Sequence, residues 1–169
     1  MEKKDKKYKQ IISENQDMIF RLCCSYVMDT DLRKDLFQNI LIRIWKGLNS
    51  FEKRSSINTW IYRISVNTSI DFLRKKGKDN QTSKRIDLDN IDLIDQSTNL
   101  EEDLILSERT QYMYRCINNL SFIEKTIITL YLEDLSYKEI SEIVGISEKN
   151  VGVKITRIKN KINKCLKDF

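Results

Sequence analysis

Apolar residues recur at helical spacing over the first 76 residues of the chain. One stripe occupies residues 11–27, and a second, in steps of about four, occupies residues 32–48. A third segment begins near residues 55–58 and ends near Lys76, before Gly77. It carries two apolar stripes, so its apolar surface is wider than that of a helix that packs by one face only. The pattern therefore predicts three helices that pack on one another.

Two capping boxes open the apolar segments of the last third. Ser121 with Glu124, and Ser136 with Glu139, fit the S-x-x-E pattern and predict helices near 122–132 and 137–144. Gly145 fits the position after a helix where positive φ is favoured. Alternation at period two never persists, and no hairpin turn lies between apolar runs. The fold class predicted for the whole chain is all-α.

Residues 136–162 fit a helix-turn-helix, with a short helix, a turn at Gly145 and a long helix capped by Ser147. Residues 147–167 include seven basic residues and one acidic residue. Because the second helix of this motif enters the major groove by its N-terminus, base contacts are expected early in it and phosphate contacts later. The base-contact candidates are Glu148, Lys149, Asn150 and Val153, and the phosphate-contact candidates are Lys154, Arg157 and Lys161. The alternative is an ordinary helical hairpin with a solvated basic face.

Charge divides the chain into three blocks. The net charge of +5 is the sum of +7 over residues 1–76, −6 over 77–108 and +4 over 109–169. The middle block mixes polar residues with isolated apolar ones and is too long for an ordinary internal loop. We therefore predict two small helical domains, a three-to-four-helix domain at 8–76 and a helix-turn-helix domain at 108–167, joined by a flexible acidic linker at 77–107.

Composition argues against most enzyme classes. The chain has no His, no Pro and four scattered Gly, which excludes His-based triads, His-ligated metals and glycine-rich phosphate loops. No cofactor and no metal are expected. A carboxylate-dependent enzyme such as a nuclease remains an alternative; its candidates are Asp71, Asp87, Asp89, Asp92 and Asp95.

The four cysteines and the absence of targeting segments indicate a cytoplasmic protein. Cys23 and Cys24 are adjacent and Cys116 and Cys165 are isolated, so we expect four reduced, buried thiols. The charged start leads into no apolar stretch, and no segment is long enough to span a membrane. No membrane contact is expected.

Polar residues also follow helical spacing in the first block. Asp35, Gln38, Asn39 and Ile42 line up on one side of the second helix, as a docking surface or as a solvated face. The third helix mixes aromatic and basic residues, a combination that stacks on unpaired bases and neutralises phosphates. For Trp60, packing in the core is the favoured interpretation, and stacking on an unpaired base is the alternative.

Three segments, in order, resemble the extracytoplasmic-function (ECF) subfamily of bacterial RNA polymerase sigma factors. DLFQNILIRIW (35–45) resembles the family helix D-L-x-Q-E-x-F-L-x-x-W, and NTWIYRISVNTSIDFLRKK (58–76) resembles W-L-x-x-I-A-x-N-x-x-x-D-x-x-R. Residues 120–162 resemble the family's C-terminal promoter-binding domain. Asn39 replaces the usual Glu, Ser121 a usual Pro, and Gly152 and Val153 a pair such as Lys-Ser.

The resemblance implies partners and roles. It implies docking on the clamp of core RNA polymerase's largest subunits, capture of a melted −10 element, reading of a duplex −35 element and inhibition by an anti-sigma factor. The core-polymerase residues would be Asp35, Gln38, Asn39 and Ile42. The −10 residues would be Phe51, Ser55, Ser56, Asn58, Trp60, Arg63, Asn67, Arg74 and Lys75. The helix from Ser147 would read the −35 element. A conventional helix-turn-helix regulator with an N-terminal interaction domain is the alternative.

Overall fold

The structure is a computed structural model that describes residues 2–80 and 108–167. Within these ranges the chain forms seven α-helices and no strand, which confirms the predicted all-α fold. The helices are α1 (Glu2–Tyr26), α2 (Thr30–Gly47), α3 (Ile57–Asn80), α4 (Glu108–Asn118), α5 (Phe122–Leu132), α6 (Tyr137–Val144) and α7 (Glu148–Leu166), with a 3₁₀ turn at Leu48–Ser50. None of the described helices has both the length and the apolar character needed to cross a membrane.

Local sequence signals fix the starts of α5 and α6. Both predicted capping boxes are present, with Ser121 and Ser136 as the N-cap residues. The break between α6 and α7 falls at Gly145, whose φ of 78° confirms the left-handed turn. The helix-turn-helix expected from the sequence therefore forms as predicted.

The predicted end of the third helix was wrong. Helix α3 continues past Lys76 and Gly77 to Asn80. A single Gly costs a helix only about 1 kcal/mol relative to Ala, and no Pro follows to stop it. Residues 81–107, which include most of the predicted linker and the four aspartates proposed there, lie outside the described residues.

Two groups of helices build the molecule. Helices α1–α3 pack on one another, and α4–α7 do the same. The first group buries Leu22, Leu36, Ile40 and Ile61, and the second buries Ile127, Leu130, Ile140, Val151 and Ile155. The groups also touch each other, because α1 packs on α4 and α5 while α3 meets α6. One continuous apolar core results.

The cysteine prediction was half wrong. Cys23 and Cys24 are buried cysteines that take no part in a disulfide, as expected, and burial raises the pKa of Cys23. Cys116 on α4 and Cys165 on α7 instead form a disulfide, with their Cα atoms 5.9 Å apart. The two residues are 49 positions apart, so only the packing of α4 on α7 brings them together.

Candidate nucleic-acid and polymerase interfaces

The four predicted docking residues share one exposed face of α2. Asp35, Gln38, Asn39 and Ile42 all face solvent, while Leu36 turns into the core. Ile42 keeps 48% of its surface exposed, which is high for an aliphatic side chain with no partner to cover it. The amide of Asn39 donates to the backbone oxygen of Asp35 at 2.8 Å and so lies along the helix. The face combines one charge, two amides and one apolar side chain.

The predicted −10 loop leads into the start of α3. Phe51 and Ser55 are half-buried, and Ser56 and Asn58 are exposed. Lys53 adopts a left-handed conformation with φ of 57°, which turns the loop sharply. The hydroxyl of Ser56 accepts a hydrogen bond from the backbone N–H of Thr59 at 3.0 Å and so acts as a helix cap. The loop is therefore held at its C-terminal end.

Trp60 combines packing with partial exposure. A Cβ added to Gly47 would lie 3.0 Å from its Cζ2 atom, so the indole lies closely against the backbone of α2. Its ring also meets Phe51, with the centroids 5.1 Å apart. The side chain remains half-buried. Both the core role and the base-stacking role that the sequence allowed fit this position.

The remaining predicted −10 residues lie along the outer side of α3. Arg63, Asn67, Arg74 and Lys75 are all exposed. Arg63, Asn67 and Arg74 are spaced by four and seven residues and share a helix face. Arg63 also donates from Nη2 to the backbone oxygen of Glu142 on α6, at 3.4 Å.

The first turns of α7 present the predicted base-contact residues. The hydroxyl of Ser147 caps the helix by accepting from the backbone N–H of Asn150 at 3.3 Å. Glu148, Lys149 and Asn150 are exposed in the first turn. Val153, one turn later, keeps 44% of its surface exposed. An apolar group here suits the methyl group of thymine in a major groove.

The predicted phosphate residues differ in their surroundings. Arg157 is exposed and Lys154 is half-buried. Lys161 pairs with Glu124 on α5, with Nζ 2.6 Å from Oε1. Burial opposes ionisation of Glu124, but hydrogen bonds from Lys161 and Ser121 outweigh it and lower the pKa of the carboxyl. A DNA phosphate that binds Lys161 would therefore compete with Glu124 for its ammonium group.

The structure adds three residues that sequence reasoning missed. Thr156 and Asn160 are exposed and continue the outward stripe of Lys149 and Val153 at helical spacing, a signal present in the sequence. The third is Tyr137, which is 43% exposed. A Cβ added to Gly152 would lie 3.3 Å from its ring, so this aromatic lies directly beside α7.

Known families match both halves of the chain. The family Sigma-70 region 2 matches residues 11–79, and Sigma-70, region 4 matches residues 110–162. An ECF RNA polymerase sigma-E factor from Haemophilus influenzae is 34% identical over 170 residues, covering 94% of this chain and 89% of the relative. The chain belongs to the ECF family of RNA polymerase sigma factors.

Further relatives are similar to this sigma factor over nearly its whole length. The ECF RNA polymerase sigma factor SigW of Bacillus subtilis is 29% identical over 168 residues, covering 96% of this chain and 90% of the relative. Among solved structures, the sigma factor RpoE of Bartonella quintana, in complex with the anti-sigma factor NepR, has a TM-score of 0.72 at 23% identity and covers 96% of this chain and 98% of that chain. The structure of CnrH with the cytosolic domain of CnrY has a TM-score of 0.66 at 15% identity, covering 97% and 90%.

These comparisons confirm the family and function expected from the sequence. The protein is a sigma factor of RNA polymerase and acts in transcription initiation; the conventional regulator is not favoured. The relatives are sigma factors, and none indicates an enzyme family. Within the described ranges, no group of three or more His, Cys, Asp or Glu side chains is arranged to hold a metal ion.

Proposed function

We propose that this sigma factor uses three separate surfaces to start transcription. The exposed face of α2, with Asp35, Gln38, Asn39 and Ile42, docks on core RNA polymerase. The loop before α3 and the outer side of α3 hold the melted −10 element. The N-terminal turns of α7 read the −35 element. In this proposal the domains are those predicted at 8–76 and 108–167.

One observation carries the proposal. Residues that the sequence assigned to binding lie at the surface on α2, α3 and α7, while the apolar stripes of the same helices are buried. The α7 surface has the chemistry of duplex recognition, with amide and charged groups first and basic groups after them. The α3 surface combines a half-buried indole with exposed basic and amide groups, which suits unpaired bases.

Two further parts of the proposal rest on the family. The RpoE structure contains an anti-sigma factor, and we propose a partner of that kind for this chain as well. Since its polymerase partner works in the cytoplasm, we propose that compartment for this chain. In this proposal the chain itself carries out no covalent chemistry, and it positions RNA polymerase on the promoter.

The α2 surface is tested by reconstituted transcription. The double variant Asp35→Ala/Gln38→Ala is added to core polymerase and scored by run-off from genomic fragments. Loss of two polar contacts of about 0.7 kcal/mol each lowers initiation at limiting core by about tenfold. Gln16→Ala/Asp17→Ala is the matched control, because it removes the same side-chain types from an exposed part of α1. If the α2 double variant and the α1 control variant initiate equally well and have equal helicity, the exposed face of α2 is not part of the docking site.

A further inference from the structure

The first turns of α1 carry basic side chains that the proposed function does not use. The lysine cluster is defined here as Lys4, Lys6, Lys7 and Lys9. Asp5 is the one acidic residue between them. Lys6, Lys7 and Lys9 are exposed, and their ammonium groups form no ion pair with any residue whose side chain the structure describes. The cluster therefore offers free positive charge at one end of the first domain.

Contacts with α2 hold the lysine cluster in place. The hydroxyl of Tyr8 donates to the backbone oxygen of Leu41 at 3.3 Å, and its ring meets Trp45 edge-on with the centroids 5.0 Å apart. The Nζ atom of Lys4 lies 4.3 Å from the centroid of the Trp45 ring. The buried core residues of α1 begin only at Ile11, so these contacts fix the turns that precede the core. The start of α1 consequently lies beside the end of α2.

The last turn of α2 connects the lysine cluster to the proposed −10 site. Trp45 meets α1, and two residues later a Cβ added to Gly47 would lie 3.0 Å from Cζ2 of Trp60. The chain then continues through the 3₁₀ turn into the loop before α3, where Lys53 and Arg54 are exposed. The lysine cluster, the −10 loop and the indole of Trp60 thus lie at the same end of the first domain.

The same end of the domain suits the unpaired part of the DNA. Phe51 and Trp60 supply aromatic rings there, and rings flanked by cations bind single strands without sequence preference. Near the other end of α3, the exposed residues Arg74 and Lys75 are basic, which suits the backbone of paired DNA. Because the −35 element is proposed to be read as duplex, a melted strand continues beyond the −10 element only on the side away from it.

We propose that the lysine cluster is a phosphate-binding surface for the unpaired DNA strand that continues beyond the −10 element. The proposal rests on the proposed function, because the loop and Trp60 must first hold that element. Phosphate contacts carry no base information, so the cluster adds affinity and no sequence preference. On a single strand, each ammonium group that replaces a counterion lowers the slope of log K against log salt by about 0.7 when it is removed. At about 0.1 M salt this is roughly a fivefold loss of affinity per group.

Two DNA probes isolate this contact in the complex with core polymerase. Both carry a promoter recovered by run-off, duplex up to the −10 element; one unpaired strand ends with that element or extends about six nucleotides further. The strand used is the one that the wild-type holoenzyme binds more tightly. The measured quantity is the ratio of the affinities for the long and the short probe. Because damage to docking or to −35 reading affects both probes, it leaves this ratio unchanged.

Lys6→Gln/Lys9→Gln is expected to lower the long-to-short ratio by about five- to twenty-five-fold at about 0.1 M salt. It is also expected to lower the salt slope for the long probe by up to about 1.4. Lys6→Arg/Lys9→Arg keeps the charges and retains the wild-type ratio. Lys34→Gln/Lys138→Gln is the matched control, since it removes two exposed charges from α2 and α6, away from the −10 loop, and it also retains the wild-type ratio.

The outcomes separate the inference from the function on which it rests. If Lys6→Gln/Lys9→Gln keeps the wild-type ratio, the cluster does not hold the strand and the inference is wrong, even where the variant binds core polymerase more weakly. If the wild-type holoenzyme binds both probes equally but discriminates against a scrambled −10 element, the function stands and the inference is wrong. If it does not discriminate against that scrambled element, the proposed −10 function fails and the inference falls with it.

Discussion

Lys125 places an amine inside the molecule, with only 1% of its surface exposed. Its Nζ donates to the side-chain oxygen of Asn118 at 3.3 Å. Desolvation by burial lowers the pKa of this amine from 10.5 to about 7. The folded chain therefore holds this proton less tightly than the unfolded chain does. Unfolding takes up a proton between these two pKa values, so the free energy of unfolding rises with pH across that window.

Replacing Lys125 with Met is expected to remove this pH dependence. Relative to Lys125→Met, the wild type gains roughly 1.4 kcal/mol of unfolding free energy per pH unit between pH 7.5 and 8.5. Chemical unfolding at several pH values measures the difference. Lys138→Met is the control, since it removes one charge from an exposed position of α6. Parallel pH profiles for wild type and Lys125→Met would show that the amine is solvated.

Arg157 and Lys159 offer a matched pair on α7. Arg157 is exposed, whereas Lys159 donates to the Tyr131 hydroxyl at 2.8 Å and lies 4.2 Å from the centroid of that ring. If Arg157 contacts a phosphate, Arg157→Ala weakens −35 binding and lowers the slope of log K against log salt by about one. Lys159→Ala changes the slope less, because its amine is already occupied. Titrations of duplex DNA at several salt concentrations measure the slope for each variant. If the slope for Arg157→Ala equals that of the wild type, Arg157 does not contact a phosphate.

At the scale of elements, the local sequence predicts where a helix starts and which of its faces is exposed. It does not predict which other helices pack against it. Ser121, Ser136 and Gly145 act through neighbours within four residues, so their roles could be predicted. The exposed faces of α2 and α7 likewise follow from a 3.6-residue period. The pairing of Lys161 with Glu124 joins residues 37 positions apart and depends on how α5 meets α7. No local pattern encodes such a contact.

The disulfide between α4 and α7 closes a loop of 49 residues around the helix-turn-helix. Loop closure of this length restricts the unfolded chain and stabilises the domain by up to about 4 kcal/mol. A reductant is therefore expected to lower the thermal midpoint of the wild type and to leave Cys116→Ser unchanged. Thermal unfolding with and without reductant measures this. Titration of four free thiols in the denatured, unreduced chain would contradict the disulfide.

At the scale of the whole molecule, two net-positive domains, +7 and +4 by block, are separated in sequence by an acidic block. They pack together because specific contacts outweigh the repulsion, among them the Arg21–Glu133 pair and the buried Tyr26. Two promoter elements about 17 base pairs apart lie roughly 60 Å apart along B-DNA. Packing of the two domains on each other therefore opposes simultaneous contact of the free chain with both elements.

The free chain is consequently expected to gain nothing from a second promoter element. Two linked sites increase affinity by about a hundredfold or more only when both are engaged together. Without core polymerase, a promoter recovered by run-off and a −35 duplex alone should bind this sigma factor within about twofold of each other, whereas with core the full promoter binds far more tightly. Fluorescence anisotropy at fixed salt measures both, with a scrambled −10 element as control. A large gain from the −10 element in the free chain would mean that the domains already separate without the polymerase.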